Sequence, residues 1–426
     1  MWPAWLTRDA SLLLVARAFM SAARALAGVV VPIYLAIQGF SALSLGLMFT
    51  IVAITSAILS ATIGLLSDRV GRKPFLVLIP WLAALAALVF ASSHDEILLF
   101  IFAALGSFGR GAGAGAGAIG PYQPAEQALL AGTVPARYRN SLFGRVAFAS
   151  SLGSLLGSGP LLALPTVLGA IGLVALAGQA SYRFAFLIMA LVSFIAGLLA
   201  LPIYDPLVRK KPAPADEPPG QTRKRPRLSF TISRQTWPLL LRLWTTNSFN
   251  GLAVGFFGPF ITYWFYRRYG IDAVTVGLLY AIINLGALAA NLGAARMAAR
   301  LGLVRAIVVS RALQAILIIP MVLAPTFWLA GVFYFVRMLA QRAGLPLRQS
   351  YVMGVVPPEE RGSVGALSNI PMQVTSAISP SLAGYLFDHV ALALPFEIGA
   401  LLQGLNTLLF YIFFHSLPPP EEQKPD

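Results

Sequence analysis

Residues 42–91 read ALSLGLMFTIVAITSAILSATIGLLSDRVGRKPFLVLIPWLAALAALVFA. The stretch holds two apolar runs, 42–66 and 73–91, separated by a short turn that carries Asp68 and Arg72. A helix of about 20 mainly apolar residues is needed to cross the hydrocarbon core of a bilayer. Because lipid offers no partner for free backbone groups, each run is predicted to be a transmembrane helix.

The same pattern extends over the whole chain of 426 residues, which are 58% hydrophobic and 11% charged. Soluble domains carry about 25% charged residues, so this composition excludes a chain of soluble domains. The apolar runs predict twelve transmembrane helices. In chain order the predicted helices cover 11–37, 42–66, 73–91, 96–131, 141–164, 181–203, 238–265, 273–295, 303–324, 327–354, 364–387 and 394–416.

The net charge of +15 is interpreted as a topology signal rather than a nucleic-acid-binding surface. Basic residues concentrate in alternate short connections and in segment 204–236, which carries eight basic and three acidic residues and is rich in Pro. Connections rich in Lys and Arg stay on the cytoplasmic side of a membrane. We therefore expect a multi-pass protein of the inner (cytoplasmic) membrane, with both termini and segment 204–236 in the cytoplasm.

Cysteine is absent, and His94, His389 and His415 are scattered along the chain. This excludes thiolate chemistry and predicts no metal site. Motifs for a nucleophile or for phosphoryl transfer are also missing. The sequence therefore predicts no cofactor and no enzyme activity.

The chain repeats itself. Segment Pro124–Ser141 reads PAEQALLAGTVPARYRNS, and Pro346–Ser363 reads PLRQSYVMGVVPPEERGS, with seven identities at a constant offset of 222 residues. Each copy ends one long run and begins the next. The repeat predicts an all-α membrane fold of two pseudo-symmetric six-helix bundles, 1–203 and 237–426, joined by a basic linker at 204–236.

The turn between the second and third runs, Gly64–Pro74 or GLLSDRVGRKP, resembles the signature of the major facilitator superfamily. A degenerate second copy, 295–302, keeps Arg300 and Gly302 but has Ala299 where Asp68 stands. The resemblance implies a transporter that works by alternating access. It also implies that Asp68 and Arg72 join the cytoplasmic ends of the two halves while the outside is open.

Glu126 is the one carboxylate placed well inside a predicted helix, and Arg348 occupies the repeat-equivalent position. We expect Glu126 to act in gating, through a pair with Arg72; the alternative is a proton carrier, since a desolvated carboxyl titrates nearer neutrality. The residues assigned to gating are Gly64, Asp68, Arg69, Gly71, Arg72, Glu126, Arg300 and Arg348.

In the superfamily the first, fourth, seventh and tenth helices line the central cavity. Charged residues inside a membrane indicate function, and Arg offers bidentate donors to carboxylate or phosphate. The alternative interpretation, favoured for Arg17 and Arg145, is pairing with helix ends or snorkelling. The predicted substrate-binding residues are Arg24, Arg110, Arg337, Asn247 and Asn250, with Tyr34 and Trp264 as apolar walls.

The fifth run contains Gly144, Gly153 and Gly157, a spacing that resembles the fifth-helix motif of antiporters in the superfamily, although Pro160 follows two residues late. The pattern is closest to the drug-exporting branch. We therefore predict a monomeric, proton-linked exporter of drug-like or amphipathic compounds. The alternatives are a transporter of an organic anion, such as a carboxylate, phosphate ester or lysolipid, and a membrane receptor or scaffold without transport.

Overall fold

The computed structural model describes residues 6–108, 120–133, 139–170, 179–205, 233–234, 236–357, 360, 364–365 and 367–417. These residues form sixteen principal helices and no strand. The helices are α1 Arg8–Ile37, α2 Ala42–Val70, α3 Lys73–Ser92, α4 Glu96–Gly106, α5 Tyr122–Thr133, α6 Arg139–Ser158, α7 Pro160–Ala170, α8 Gln179–Ala200, α9 Trp237–Phe257, α10 Ile261–Tyr269, α11 Ala273–Leu301, α12 Leu303–Ile316, α13 Ile318–Leu323, α14 Phe327–Val355, α15 Ile370–His389 and α16 Leu394–Phe414.

Every predicted transmembrane run overlaps at least one of these helices, and the sequence matches a membrane-transporter superfamily of this architecture, so the predicted fold class is confirmed. Four runs hold two helices each: α4 with α5, α6 with α7, α9 with α10, and α12 with α13. Proline explains three breaks, because it lacks the N–H that continues a helix. Pro160 follows the break between α6 and α7, Pro259 lies in the break between α9 and α10, and Pro320 follows the break between α12 and α13.

Seven helical segments of the described chain are long and apolar enough to cross a membrane by length and composition alone. The other runs are interrupted, or they carry polar side chains, as α9 and α14 do. A polar side chain inside a bundle lowers hydropathy without shortening the helix. These polar positions are therefore where the candidate site is to be sought.

Each half is a bundle packed through small residues. In the first half α1 packs against α6 and α8, and in the second half α9 packs against α15 and α16. A Cβ on Gly153 would clash with the carbonyl oxygen of Ala18, and one on Gly157 with that of Ala22. The Gly residues of the antiporter-like motif thus let α1 and α6 approach closely.

The two halves meet at one end of the molecule, where α2 begins and α15 ends; we call this the closed end. The backbone N–H groups of Ala42 and Leu43 donate to the carboxylate of Asp388, at 3.1 and 2.7 Å. The hydroxyls of Thr50 and Ser381 lie 2.7 Å apart. The other end, at which α1 begins and α16 ends, we call the terminal end.

A second contact between the halves also lies at the closed end. There α6 meets α11, and a Cβ on Gly277 of α11 would clash with the carbonyl oxygen of Ser158. Thr262 of α10 donates to the carbonyl of Gly28 in α1 at 3.4 Å. Together with the bonds of Asp388 and Thr50, these contacts join the two halves at the closed end.

Candidate functional site

A buried ion pair lies inside the first half. Arg17 of α1 donates from Nη1 to Oε2 of Glu126 in α5 at 2.5 Å, and from Nε to the hydroxyl of Ser150 in α6 at 2.6 Å. The two charged side chains are only 2% and 0% exposed. At 1.5 Å per residue, Arg17 lies about 13 Å into α1 and Glu126 about 10 Å from the end of α5, so their depths match.

This pairing differs from the expected pair of Glu126 with Arg72. The backbone N–H groups of Arg72 and Lys73 instead donate to Asp205, at 2.5 and 2.9 Å, which fixes the start of α3 against the end of the first half. Arg17, interpreted from sequence as a snorkelling residue, is the partner of Glu126. The sequence spacing could not identify it, because it lies 109 residues away on another helix.

One oxygen of the Glu126 carboxylate has no donor within the described residues. Oε1 is buried and makes no hydrogen bond there, while Oε2 accepts from Arg17. Burial of an ion pair is only marginally favourable, since desolvation offsets most of the attraction. The arrangement can therefore take up a proton at Oε1 and lose its attraction to Arg17.

Arg24 lies seven residues after Arg17 on α1, about 10 Å further along the helix. Its Nη2 donates to the carbonyl of Ser107 at 3.1 Å, and Ser107 has a left-handed backbone with φ 55° where α4 ends. Arg24 thus satisfies a carbonyl freed by the end of α4. Arg110, the predicted substrate-binding cation of the fourth run, lies outside the described residues.

The predicted residues of the second half lie on α9 and α14. Arg337 is 6% exposed, and its guanidinium lies 3.8 Å from the centroid of the Phe257 ring, a cation–π contact. Asn247 is buried and donates to the carbonyl of Ser368 at 2.5 Å. Asn250 is half-buried and accepts from Asn406 at 3.4 Å.

Tyr34 and Trp264 lie in the aromatic core near the closed end. Tyr34 packs edge-on against Phe186 with ring centroids 5.0 Å apart, and Trp264 packs against Phe396 at 5.2 Å. Both side chains are 1% exposed. The sequence places each residue in an apolar run, but their burial in the core depends on the tilt of α1 and α10.

The predicted gating turns occupy equivalent places in the two halves. Gly71 caps α2 with φ 103°, and Gly302 caps α11 with φ 79°. Both values lie in the region that favours glycine, so the degenerate second copy keeps the residue that the turn requires. Gly64 has open space beside its Cα, Arg300 is exposed, and the side chains of Asp68 and Arg69 lie outside the description.

Sequence analysis missed three polar residues. Arg311 on α12 and Arg342 on α14 are 6% and 8% exposed, and Asp388 joins the halves at the closed end. The signal for Arg311 was present, as a cation eight residues inside the apolar run 303–324. Nothing in the sequence pointed to the contact of Asp388. No group of three potential metal ligands occurs within the described part of the chain.

The helices, the repeat and the buried charges define a multi-pass membrane transporter built from two six-helix halves. The sequence profile of the Major Facilitator Superfamily matches residues 13–249 and 243–426, so the chain belongs to that superfamily. It is 23% identical to the quinolone resistance protein NorA of Staphylococcus aureus (strain MRSA252) over 387 residues, covering 89% of this chain and 90% of NorA.

Two further similarities agree with this assignment. The multidrug resistance protein MdtG of Proteus mirabilis (strain HI4320) is 24% identical over 397 residues, covering 90% of each chain. The crystal structure of an auto-inhibited POT family peptide transporter has the same fold, with a TM-score of 0.71 at 13% identity and 99% of each chain covered. The predicted likeness to drug-exporting transporters is confirmed. The cytoplasmic termini and the monomeric state stay predictions.

Proposed function

We propose that this transporter exports drug-like or amphipathic compounds in exchange for protons. The observation that carries the proposal is the buried ion pair of Arg17 and Glu126. The names of its relatives NorA and MdtG, which refer to quinolone and multidrug resistance, support the class of substrate.

Protonation of Glu126 supplies the coupling in this proposal. A neutral carboxyl no longer attracts the guanidinium of Arg17, which then keeps the hydroxyl of Ser150 as a neutral partner. Three helices meet at this point, α1, α5 and α6, so the protonation state biases how they pack. A ligand or proton moves a two-state equilibrium only through such a difference between the states.

The contacts between the halves suggest how access alternates. If the termini are cytoplasmic, the closed end faces outward and the described state opens toward the cytoplasm. Opening to the outside would then break the bonds of Asp388 to α2 and separate Thr50 from Ser381. Amphipathic solute would bind between the halves, near Arg24, Arg110, Arg337, Asn247 and Asn250.

Transport by the purified protein in liposomes tests this function. With a pH gradient imposed, we expect movement of a cationic fluorescent dye that a proton uncoupler abolishes. Glu126→Gln should lower the rate of dye movement about tenfold or more, since a coupling free energy of 1–3 kcal/mol corresponds to 5–150-fold. The control is Glu96→Gln, an exposed carboxylate in the first turn of α4. Dye movement that ignores both the uncoupler and Glu126→Gln would refute proton coupling.

A second candidate function is transport of an organic anion. It is favoured by Arg337 and Arg342, which are buried on α14 and whose Nε atoms have no hydrogen-bond acceptor within the described chain. Saturable uptake of a labelled organic acid, unaffected by the uncoupler and lost in Arg337→Gln, would support this function against drug export.

A further inference from the structure

A small cavity of about 50 Å³ lies inside the second half, between α9, α12 and α14. Its polar lining consists of Asn250, Arg311, Gln314, Gln341 and Arg348. Arg311 and Gln314 are three residues apart on α12, and Gln341 and Arg348 are seven apart on α14. Each pair therefore shares one helix face, so the three helices direct their polar positions into one space.

Neutral side chains hold both guanidinium groups. Arg311 donates from Nη1 to the amide oxygen of Asn406 at 2.9 Å, and its guanidinium lies 4.5 Å from the centroid of the Phe410 ring. Arg348 donates from Nη2 to the amide oxygen of Asn369 at 3.0 Å. These contacts orient the two guanidinium groups but do not neutralise their positive charges.

The charge of this cavity is not balanced within the described residues. Neither Arg311 nor Arg348 has a carboxylate partner there, and each makes one hydrogen bond although a guanidinium has five N–H donors. Gln314 donates from its amide nitrogen to the carbonyl and the hydroxyl oxygen of Ser310, at 3.1 and 3.4 Å, so its side chain is held in place beside the cavity. Two cations at one cavity repel each other. An anion would offset this repulsion and accept hydrogen bonds from the unused guanidinium N–H groups.

We propose that this cavity binds one compact monovalent anion, contacted by Arg311 and Arg348 and assisted by the amide of Gln341. A water-sized sphere needs about 10–15 Å³, so the cavity has room for only a few heavy atoms, as in a halide ion or a carboxylate group. The anion is a free inorganic ion such as a halide, or a carboxylate as small as formate. The inference goes beyond the proposed function, since it requires neither export nor proton coupling.

Thermal unfolding of the purified, detergent-solubilised protein tests this site. Sodium chloride or sodium formate replaces sodium gluconate at constant ionic strength, because gluconate is too large for the cavity. We expect a saturable rise in the unfolding midpoint, on the order of 2 °C or more, in chloride, formate or both. A rise in chloride alone identifies a free inorganic ion, and a rise in formate alone identifies a carboxylate.

Variants locate the effect. Arg348→Gln should abolish the anion-dependent rise, whereas Arg305→Gln, an exposed cation on the same helix as Arg311, should keep it. Wild-type protein that unfolds at one temperature in all three salts would overturn the proposal without any variant. An undiminished rise in Arg348→Gln would overturn it as well. Because dye movement is not measured here, failure of this test leaves the proposed function standing, and the reverse also holds.

Discussion

The two halves treat equivalent positions in opposite ways. Glu126 in α5 and Arg348 in α14 are related by the repeat of 222 residues. In the first half, Glu126 is neutralised by Arg17 within a sealed contact among three helices. In the second half, Arg348 and nearby Arg311 rest on neutral amides. The repeat-equivalent helices α5 and α14 thus carry a neutralised ion pair in the first half and an excess of positive charge in the second.

This difference separates two kinds of ionic control. A balanced pair responds to the loss or gain of a proton, because protonation of the acid removes the attraction. An excess of buried Arg responds to an anion, since Arg stays protonated at any physiological pH. We infer that the first half is suited to sense protons and the second half to sense anions.

Removal of Arg17 is expected to have the largest effect. Arg17→Ala leaves the Glu126 carboxylate buried without a partner, which costs about 3–5 kcal/mol for a broken buried pair. The double variant Arg17→Ala with Glu126→Gln should recover much of that loss. Chemical unfolding in detergent measures both variants, with Arg8→Ala, exposed on the same helix, as the control. Equal stability of Arg17→Ala and Arg8→Ala would show that the pair contributes nothing to folding.

The second-largest effect is expected from a larger side chain between α1 and α6. Gly153→Val places atoms against the backbone of Ala18, which cannot move aside, so we expect a loss of about 1–3 kcal/mol and reduced transport. Gly144→Val is the matched control, since Gly144 belongs to the same Gly pattern but has open space beside it. Thermal unfolding and dye movement compare the two variants. A harmless Gly153→Val would mean that the α1–α6 approach is looser than described.

The contact at the closed end predicts a smaller effect on conformation. Asp388→Ala removes two hydrogen bonds and a negative charge from the N-terminus of α2, worth about 1 kcal/mol. The closed population should fall roughly fivefold relative to the open one. Because the chain has no Cys, a Cys pair at Thr50 and Ser381 reports closure by its rate of disulfide formation.

Asp95→Ala is the control for this measurement. Asp95 also accepts a backbone N–H, that of Leu98 at 2.8 Å, but it caps α4 within the first half alone. Asp388→Ala should slow the cross-link and Asp95→Ala should leave it unchanged. An equal rate in both variants would remove Asp388 from any role in gating.

The helices were predictable and the partners of the buried charges were not. The length of an apolar run is set by the thickness of the bilayer, so the twelve spans could be predicted from the sequence. The 222-residue repeat could be read directly from matching residues. Which side chain meets Glu126 depends on the rotation and tilt of α1 against α5, and those are set by close packing at residues such as Gly153. The Arg311 cavity likewise needs three helices to be oriented at once.

The smallest effect is expected for the hydrogen bonds that hold the loops at the terminal end, which differ between the two halves. Asp205 accepts N–H groups of Arg72 and Lys73, whereas Glu360 accepts the N–H of Ser233 at 3.0 Å. A hydrogen bond from the Thr236 side chain, together with that of Ser233, lowers the pKa of Glu360 below its ordinary value. The stabilisation is therefore complete above the ordinary Glu pKa of about 4.3 and is lost as the pH falls through the lowered value.

Hydrogen exchange at residues 233–236 measures this contact. Protection of the Ser233 amide should be steady near neutral pH and decrease in acid, and Glu360→Gln should remove that acid-dependent change. Because Glu360 is partly exposed at the surface, solvent screens the interaction, and the global unfolding temperature should not move. The Asp205 contact supplies the comparison, since Asp205 is buried and its loss in Asp205→Asn should lower that temperature. If both variants shift it equally, the two halves fix their loops with equal strength and the asymmetry is confined to the buried Arg residues.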